Sequence, residues 1–339
     1  MVTAVVITGG ASPALAEGGG LKAFWGPITW NGQSAFPVYH DLGVNIYQTG
    51  LDWSTVAPRR PHDPGNPSDP AYQWPADIDY ALRQASLYHM RVLLQVVTTP
   101  SWANGGRAYN YPPTDVRDLA DFVAAAARRY PAVHLWMIWG EPDRQATFAI
   151  DKAVPYTQRA LTPAQARAPH VYAQMLDASY GALKAVSKSN MVIGGNTYTT
   201  GYIPVKLWIE NLRLPNGRRP RMDMYGHNPF TSREPSANKR PTGYGYYDFS
   251  DLARLSQLVN QYLAPPRHKL KIFISEWTIP TAPDSEFPYY VTRAAQARWI
   301  TRAWWLVHHW SFIYAFGWIH LYDDPPGGSM GGLLSHRGV

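Results

Sequence analysis

Two glutamates stand where carboxyl chemistry could be done. Glu141 directly follows the apolar run Leu135-Trp136-Met137-Ile138-Trp139-Gly140, and Glu276 directly follows Lys271-Ile272-Phe273-Ile274-Ser275. A carboxyl at the end of a buried strand is held rigidly and opens onto whatever cavity lies beyond that end. One such residue alone reads as a surface acid or a salt-bridge partner. Two, each beside a tryptophan (Trp139 and Trp277), suit a reaction that needs one protonated acid and one ionised nucleophile. Hydrolysis of a glycosidic bond with retention is such a reaction, with the two carboxyls about 5–5.5 Å apart across the sugar.

The elements that must position this pair alternate between β-type and helical runs, a βα pattern. Strands are expected at Ala23–Ile28, Val44–Leu51, Arg91–Val97, His134–Trp139, Met191–Gly195, Met222–Gly226, Lys271–Ser275 and Tyr314–Ile319. Runs such as VLLQVV and KIFIS are apolar without alternation, as strands buried on both faces should be. Helices are expected at Ala76–His89, Thr114–Tyr130 (Thr114 as N-cap), His170–Ser187, Pro204–Leu212, Phe249–Leu263 and Val291–His309. Polar or Pro/Gly-rich insertions follow the second, fourth, sixth and seventh strands, at residues 58–75, 141–169, 228–247 and 277–289. The reading is an α/β fold, a (β/α)₈ TIM barrel forming one catalytic domain over residues 21–339, with the two glutamates after strands 4 and 7. After strand 8 come Asp323, Asp324 and the segment GGSMGG, so the eighth helix is absent or truncated. A doubly wound sheet is the structural rival, but the first turn, Thr29-Trp30-Asn31-Gly32, has no dinucleotide-binding glycine pattern.

The 339 residues are 45% hydrophobic and include 14 Trp, 22 Tyr and 10 Phe, enough to fill a core and to line a cleft where flat rings stack on sugars. The net charge of +7 could suit an anionic ligand, but no nucleic-acid motif is present. Arg213, Arg218, Arg219, Arg221, Arg233, Lys239 and Arg240 concentrate that charge in one stretch, placed in or beside the loops after strands 5 and 6. It reads as a solvated loop, with an anionic glycan as the other reading. With no cysteine and no HExxH, neither a disulfide nor a catalytic metal is expected, and no cofactor. Residues 1–20 carry a short apolar stretch and then Ala14-Leu15-Ala16, which reads as the remnant of a secretory signal or as a disordered arm; export is the expectation. No later apolar run is long enough to span a bilayer, and no membrane partner is expected.

In order along the chain, these motifs resemble glycoside hydrolase clan A, whose acid/base follows strand 4 in Asn-Glu-Pro and whose nucleophile follows strand 7. Trp139-Gly140-Glu141-Pro142 and Ile274-Ser275-Glu276-Trp277 carry the resemblance. Leu51-Asp52-Trp53-Ser54, Thr99-Pro100-Ser101-Trp102-Ala103, His227-Asn228-Pro229-Phe230 and Gly332-Leu333-Leu334 extend it across residues 23–334. The chain is most similar to family 39 and its neighbours, which include β-xylosidases, α-iduronidases and exopolysaccharide hydrolases. The resemblance implies Glu141 as acid/base, Glu276 as nucleophile and an oligosaccharide, polysaccharide or glycoside as substrate. It also implies His227 near the nucleophile and Trp318 as a sugar-stacking ring. Trp102, Trp139, Tyr198 and Trp277 complete the expected aromatic contacts.

Two positions depart from the clan. The Asn that precedes the acid/base and binds the sugar 2-hydroxyl in the clan is Gly140 here; either another group reads that hydroxyl, with Asn196 after strand 5 a candidate, or the preferred sugar places it differently. The Arg that ends strand 2 and supports the nucleophile is Gln48, so Glu276 should lose a stabilising cation and its pKa should rise. The insertions would wall off a pocket, which favours exo action, and the expected substrate is a β-glycoside. A carbohydrate-binding pseudoenzyme and a transglycosylase using the same covalent intermediate are the alternatives.

Overall fold

The structure, a computed structural model, describes residues 20–325 and 328–338. The signal-like segment, residues 1–19, lies outside the described residues.

Eight parallel strands close into a barrel. They are β1 (Leu21–Trp25), β2 (Ile46–Asp52), β3 (Arg91–Val97), β4 (Leu135–Ile138), β5 (Met191–Tyr198), β6 (Met224–Asn228), β7 (Lys271–Ile274) and β8 (Ile313–Ile319). Each pairs with the next, and β8 closes onto β1. Between them lie α1 (Phe36–Asp41), α2 (Trp53–Val56), α3 (Ala76–Leu87), α4 (Val116–Arg129), α5 (Pro163–Val186), α6 (Val205–Asn211), α7 (Leu252–Tyr262) and α8 (Arg293–His309). Among the described residues no helix follows β8. The chain instead turns back, with Leu334 N–H donating to the Leu321 carbonyl at 2.9 Å. That leaves an apolar groove between β1, β8 and α8, lined by Phe24, Phe316, Trp318 and Trp304.

Side chains alternate across a strand, so every second residue enters the barrel. Ala23, Ile46, Leu93, Leu135, Met137, Ile193, Met224, Phe273 and Ala315 form the apolar inner core. Two residues further along, the same faces carry Trp25, Gln48, Gln95, Gly226, Ser275 and Gly317. A Cβ on Gly317 would lie 2.0 Å from the Ser275 carbonyl, so β7 and β8 meet there only because position 317 has no side chain. The barrel interior therefore changes from an apolar plug to a largely polar layer just below the rim.

Helix boundaries differ from the sequence reading where caps decide them. The expected start after Pro169 gives way to Pro163, because Thr162 and Gln165 form a reciprocal capping box and the helix runs through Pro169. Asp115, not Thr114, caps α4: its carboxylate accepts from Arg117 N–H, while the Thr114 hydroxyl donates to the Ala103 carbonyl. The basic stretch divides. Arg213–Arg221 follow α6 and so lie at the N-terminal ends of the strands, around a cavity of about 690 Å³ far from the rim. Arg233 belongs to the loop after β6 and is ion-paired with Asp248 and Asp251. Among the described residues no helix is long and apolar enough to cross a membrane.

Candidate active site

Backbone strain is concentrated at the C-terminal rim. Thr98, Trp139, Glu141, Asn196 and His320, none of them glycine, have φ of 64°, 69°, 45°, 50° and 70°, and all lie at or just beyond the ends of β3, β4, β5 and β8. Left-handed conformations cost such residues free energy and persist only where the surroundings impose them. Around Glu141 those restraints are visible. Its N–H donates to the Asn196 carbonyl at 3.1 Å, and Trp139 N–H donates to the Val96 carbonyl at 2.8 Å. The Thr147 hydroxyl donates to the Glu141 carbonyl at 2.5 Å, and the Trp139 indole N–H donates to the Thr147 carbonyl at 3.0 Å.

Glu141 and Glu276 face one cleft built of three adjoining cavities of about 480, 310 and 490 Å³ that all include Glu276. Glu141 lines two of them. Asn228, on the inward face of β6, joins the pair. Its amide donates to Glu141 Oε1 at 2.9 Å, and its side-chain oxygen accepts from Glu276 N–H at 3.1 Å. Arg144 Nη1 donates to Glu141 Oε2 at 2.5 Å, and its guanidinium lies 4.3 Å from the Tyr198 ring centroid. Both carboxyl oxygens of Glu141 thus have a donor.

Glu276 is different. Burial first, then the negative charges of Glu141 and Glu286, push its carboxyl up to about 8, while Arg144 and Asn228 pull weakly the other way. Gln48 does not compensate. It is fully buried and spends its amide on the preceding residue, donating to the Ser275 carbonyl at 2.9 Å and accepting from the Ser275 hydroxyl at 3.1 Å. Gln48 therefore orients the end of β7 rather than contacting a substrate.

Other expected site residues fall on the wrong side of a strand or too deep. His227 is fully buried and points away from the cleft. Its Nε2 faces the Tyr247 carbonyl at 2.7 Å and must donate, leaving Nδ1 to accept from the Thr197 hydroxyl at 2.9 Å. Burial lowers its pKa to about 4, so the ring is neutral. Trp318 shares parity with Phe316 on the outer surface of β8 and lines the groove beside α8. Trp277 is fully buried and packs against Phe249, Phe316 and Trp318. Trp102 donates to the Ala57 carbonyl at 2.7 Å beneath the Arg60 guanidinium, pinning the loop after β2 outside the three cavities. The Asn196 side chain is fully enclosed with neither amide atom partnered, and only its carbonyl serves Glu141.

Trp139 and Tyr198 do line the cleft. So do residues the sequence reading passed over: Trp25, Gln95, Arg144 and Glu286, with Asn228 beneath them. Strand parity could have found three of them, since Trp25 lies two residues past Ala23, Gln95 two past Leu93 and Asn228 four past Met224. Among the described residues no three His, Asp or Glu side chains converge as metal ligands.

No protein-family model matches the chain, and no curated protein does. Solved structures do. A family 39 glycoside hydrolase from the gut symbiont Bacteroides cellulosilyticus superposes with a TM-score of 0.64 at 15% identity, covering 95% of this chain and 61% of that one. A glucosidase from Croceicoccus marinus gives 0.63 at 15%, covering 90% and 59%. A monomeric β-xylosidase from Caulobacter crescentus gives 0.60 at 16%, covering 95% and 66%. The chain spans about three-fifths of the length of these proteins. Its structural neighbours thus include a family 39 glycoside hydrolase, a glucosidase and a β-xylosidase, and the fold it shares with them is the (β/α)₈ barrel.

Proposed function

We propose that the protein is a retaining glycoside hydrolase acting by double displacement, with Glu276 as nucleophile and Glu141 as acid/base. One observation carries the reading: Glu141 and Glu276, from the ends of β4 and β7, face a single cleft, and Asn228 bonds both the Glu141 carboxyl and the Glu276 N–H. The fold shared with glycoside hydrolases agrees with it. In this reading Glu276 attacks the anomeric carbon while Glu141 protonates the departing oxygen. Glu141 then takes a proton from water, which releases the sugar with its configuration retained. The carboxyls should lie about 5–5.5 Å apart. A β-glycoside cleaved from a chain end is the proposed substrate class, supported by the loops after β4 and β7, which contribute Arg144, Glu286 and Phe287 to the cleft walls. Export belongs to the proposal and rests on the sequence alone.

Arg144 holds Glu141, while burial and the nearby charge of Glu141 raise the Glu276 carboxyl, so the contacts present do not favour the pair's proton on Glu141, where the first step needs it. Catalysis therefore requires the substrate to disturb the Arg144 contact. The same pattern favours a second reading, a sugar-binding protein without turnover. A panel of aryl glycosides assayed with the wild type and Glu276→Ala separates them: turnover that disappears in the variant supports the hydrolase, and sugar binding with no turnover supports the second.

A further inference from the structure

Gln95 stands beside the catalytic pair with an amide that the protein hardly uses. It lies on the inward face of β3, is only 8% exposed, and lines the same cavity as Gly140, Glu141 and Glu276. Its Nε2 meets only the Met137 sulfur at 3.2 Å and the Trp139 carbonyl at 3.5 Å, a weak acceptor and a contact at the limit of hydrogen bonding. No donor among the described residues reaches its Oε1. A primary amide offers two N–H donors and two acceptor lone pairs, and leaving them unmet in a buried place is unfavourable.

The space this amide occupies is the space that Gly140 leaves open. A Cβ on Gly140 would lie 3.1 Å from Gln95 Nε2, 3.3 Å from Oε1 and 3.4 Å from Cδ. A longer side chain at position 140 and the observed Gln95 rotamer therefore exclude each other. The cavity takes one amide, delivered from β3 instead of from the end of β4.

On the glycosidase reading above, we propose that Gln95 binds the hydroxyl on the ring carbon next to the anomeric carbon. The cavity contains both carboxyls, so a ring whose anomeric carbon lies between them presents that neighbouring hydroxyl to its wall. Oε1 accepts from the hydroxyl and Nε2 donates to it. Contacts to this group strengthen as the oxocarbenium-like transition state forms. The substrate class is then a sugar with a free hydroxyl at that carbon, and Asn196, sealed beneath the rim, has no part in reading it.

The test compares matched 2-hydroxy and 2-deoxy aryl glycosides in the wild type, Gln95→Leu and the double variant Gln95→Gly/Gly140→Asn. The wild type should prefer the 2-hydroxy substrate about a hundredfold in kcat/KM. Gln95→Leu keeps the bulk and should bring that ratio close to one, mainly by slowing the 2-hydroxy substrate. The double variant, with its amide supplied from position 140, should recover part of the preference, whereas Gly140→Asn alone should not. Equal losses on both substrates in Gln95→Leu would show a packing role and overturn the proposal, as would an unchanged ratio. Calorimetric binding of the two free sugars to wild type and Gln95→Leu gives a readout independent of turnover. Discrimination that vanishes in the variant supports the proposal even if no glycoside is hydrolysed, and discrimination that persists overturns it.

Discussion

The Asn228 amide donates to Glu141 Oε1 at 2.9 Å. Because the other end of that side chain accepts from Glu276 N–H, one residue fixes both carboxyl-bearing loops. Replacing it removes a hydrogen bond to a charged group, worth about 1.5–3 kcal/mol. Asn228→Ala should lower kcat/KM by about 10- to 100-fold with little change in melting temperature. Steady-state kinetics and a thermal scan of the same sample check this, and a parallel collapse of stability would make Asn228 a folding residue instead.

Glu276 must be ionised to attack. The step also needs one proton on Glu141, and with the Glu276 pKa raised to about 8, chiefly by burial, a rise in pH through that region strips the pair of the proton the leaving group needs, so kcat/KM of the free enzyme should fall there. Arg144 draws the Glu276 pKa down, so Arg144→Gln should move this limb to higher pH. A pH–rate profile of both proteins reads the shift; a limb that stays still would show that it does not belong to Glu276.

Acid/base and nucleophile roles separate by leaving group. Glu141→Ala should spare glycosylation from an aryl glycoside whose leaving group has a low pKa, because little protonation is needed. Added azide should restore its deglycosylation and yield a β-glycosyl azide from a β-glycoside. Glu276→Ala should lose all turnover by this retaining route. Product analysis with and without azide distinguishes these outcomes from an equal, azide-insensitive loss in both variants.

Asp151, in the loop that carries Glu141 and Arg144, is fully buried with neither carboxyl oxygen partnered. Burial, helped by Asp143, raises its pKa to about 9. An acid whose folded pKa is raised binds more protons folded than unfolded, so stability falls as pH rises from about 4 towards about 9, by up to about 1.4 kcal/mol per unit. Asp151→Asn should flatten this slope and raise the melting temperature at pH 8 more than at pH 5. Thermal scans across that range check it, and an identical slope in both proteins would place the buried charge elsewhere.

Continuous apolar runs made the strands and the positions of Glu141 and Glu276 legible, because burial on both faces leaves a compositional trace. Facing was harder to read. His227 and Trp318 were expected in the cleft, yet strand alternation turns both outward, while Asn228 and Trp25 carry the inward parity. Gln48 showed that a cation was missing from the end of β2, but not that its amide would turn to Ser275. Arg144 was illegible for another reason. Its contact with Glu141 depends on the strained turn through Trp139 and Glu141, and no residue pattern announces a left-handed backbone.

The retaining mechanism through Glu276 is tested most directly by trapping its intermediate. The enzyme is incubated with the 2-deoxy-2-fluoro analogue of whichever aryl glycoside it hydrolyses, then digested, and the labelled peptide is sequenced by mass spectrometry. The account predicts one glycosyl adduct, carried by Glu276 and absent from the Glu276→Ala variant. An adduct on Glu141, or turnover that forms no adduct and inverts the anomeric configuration, would contradict it.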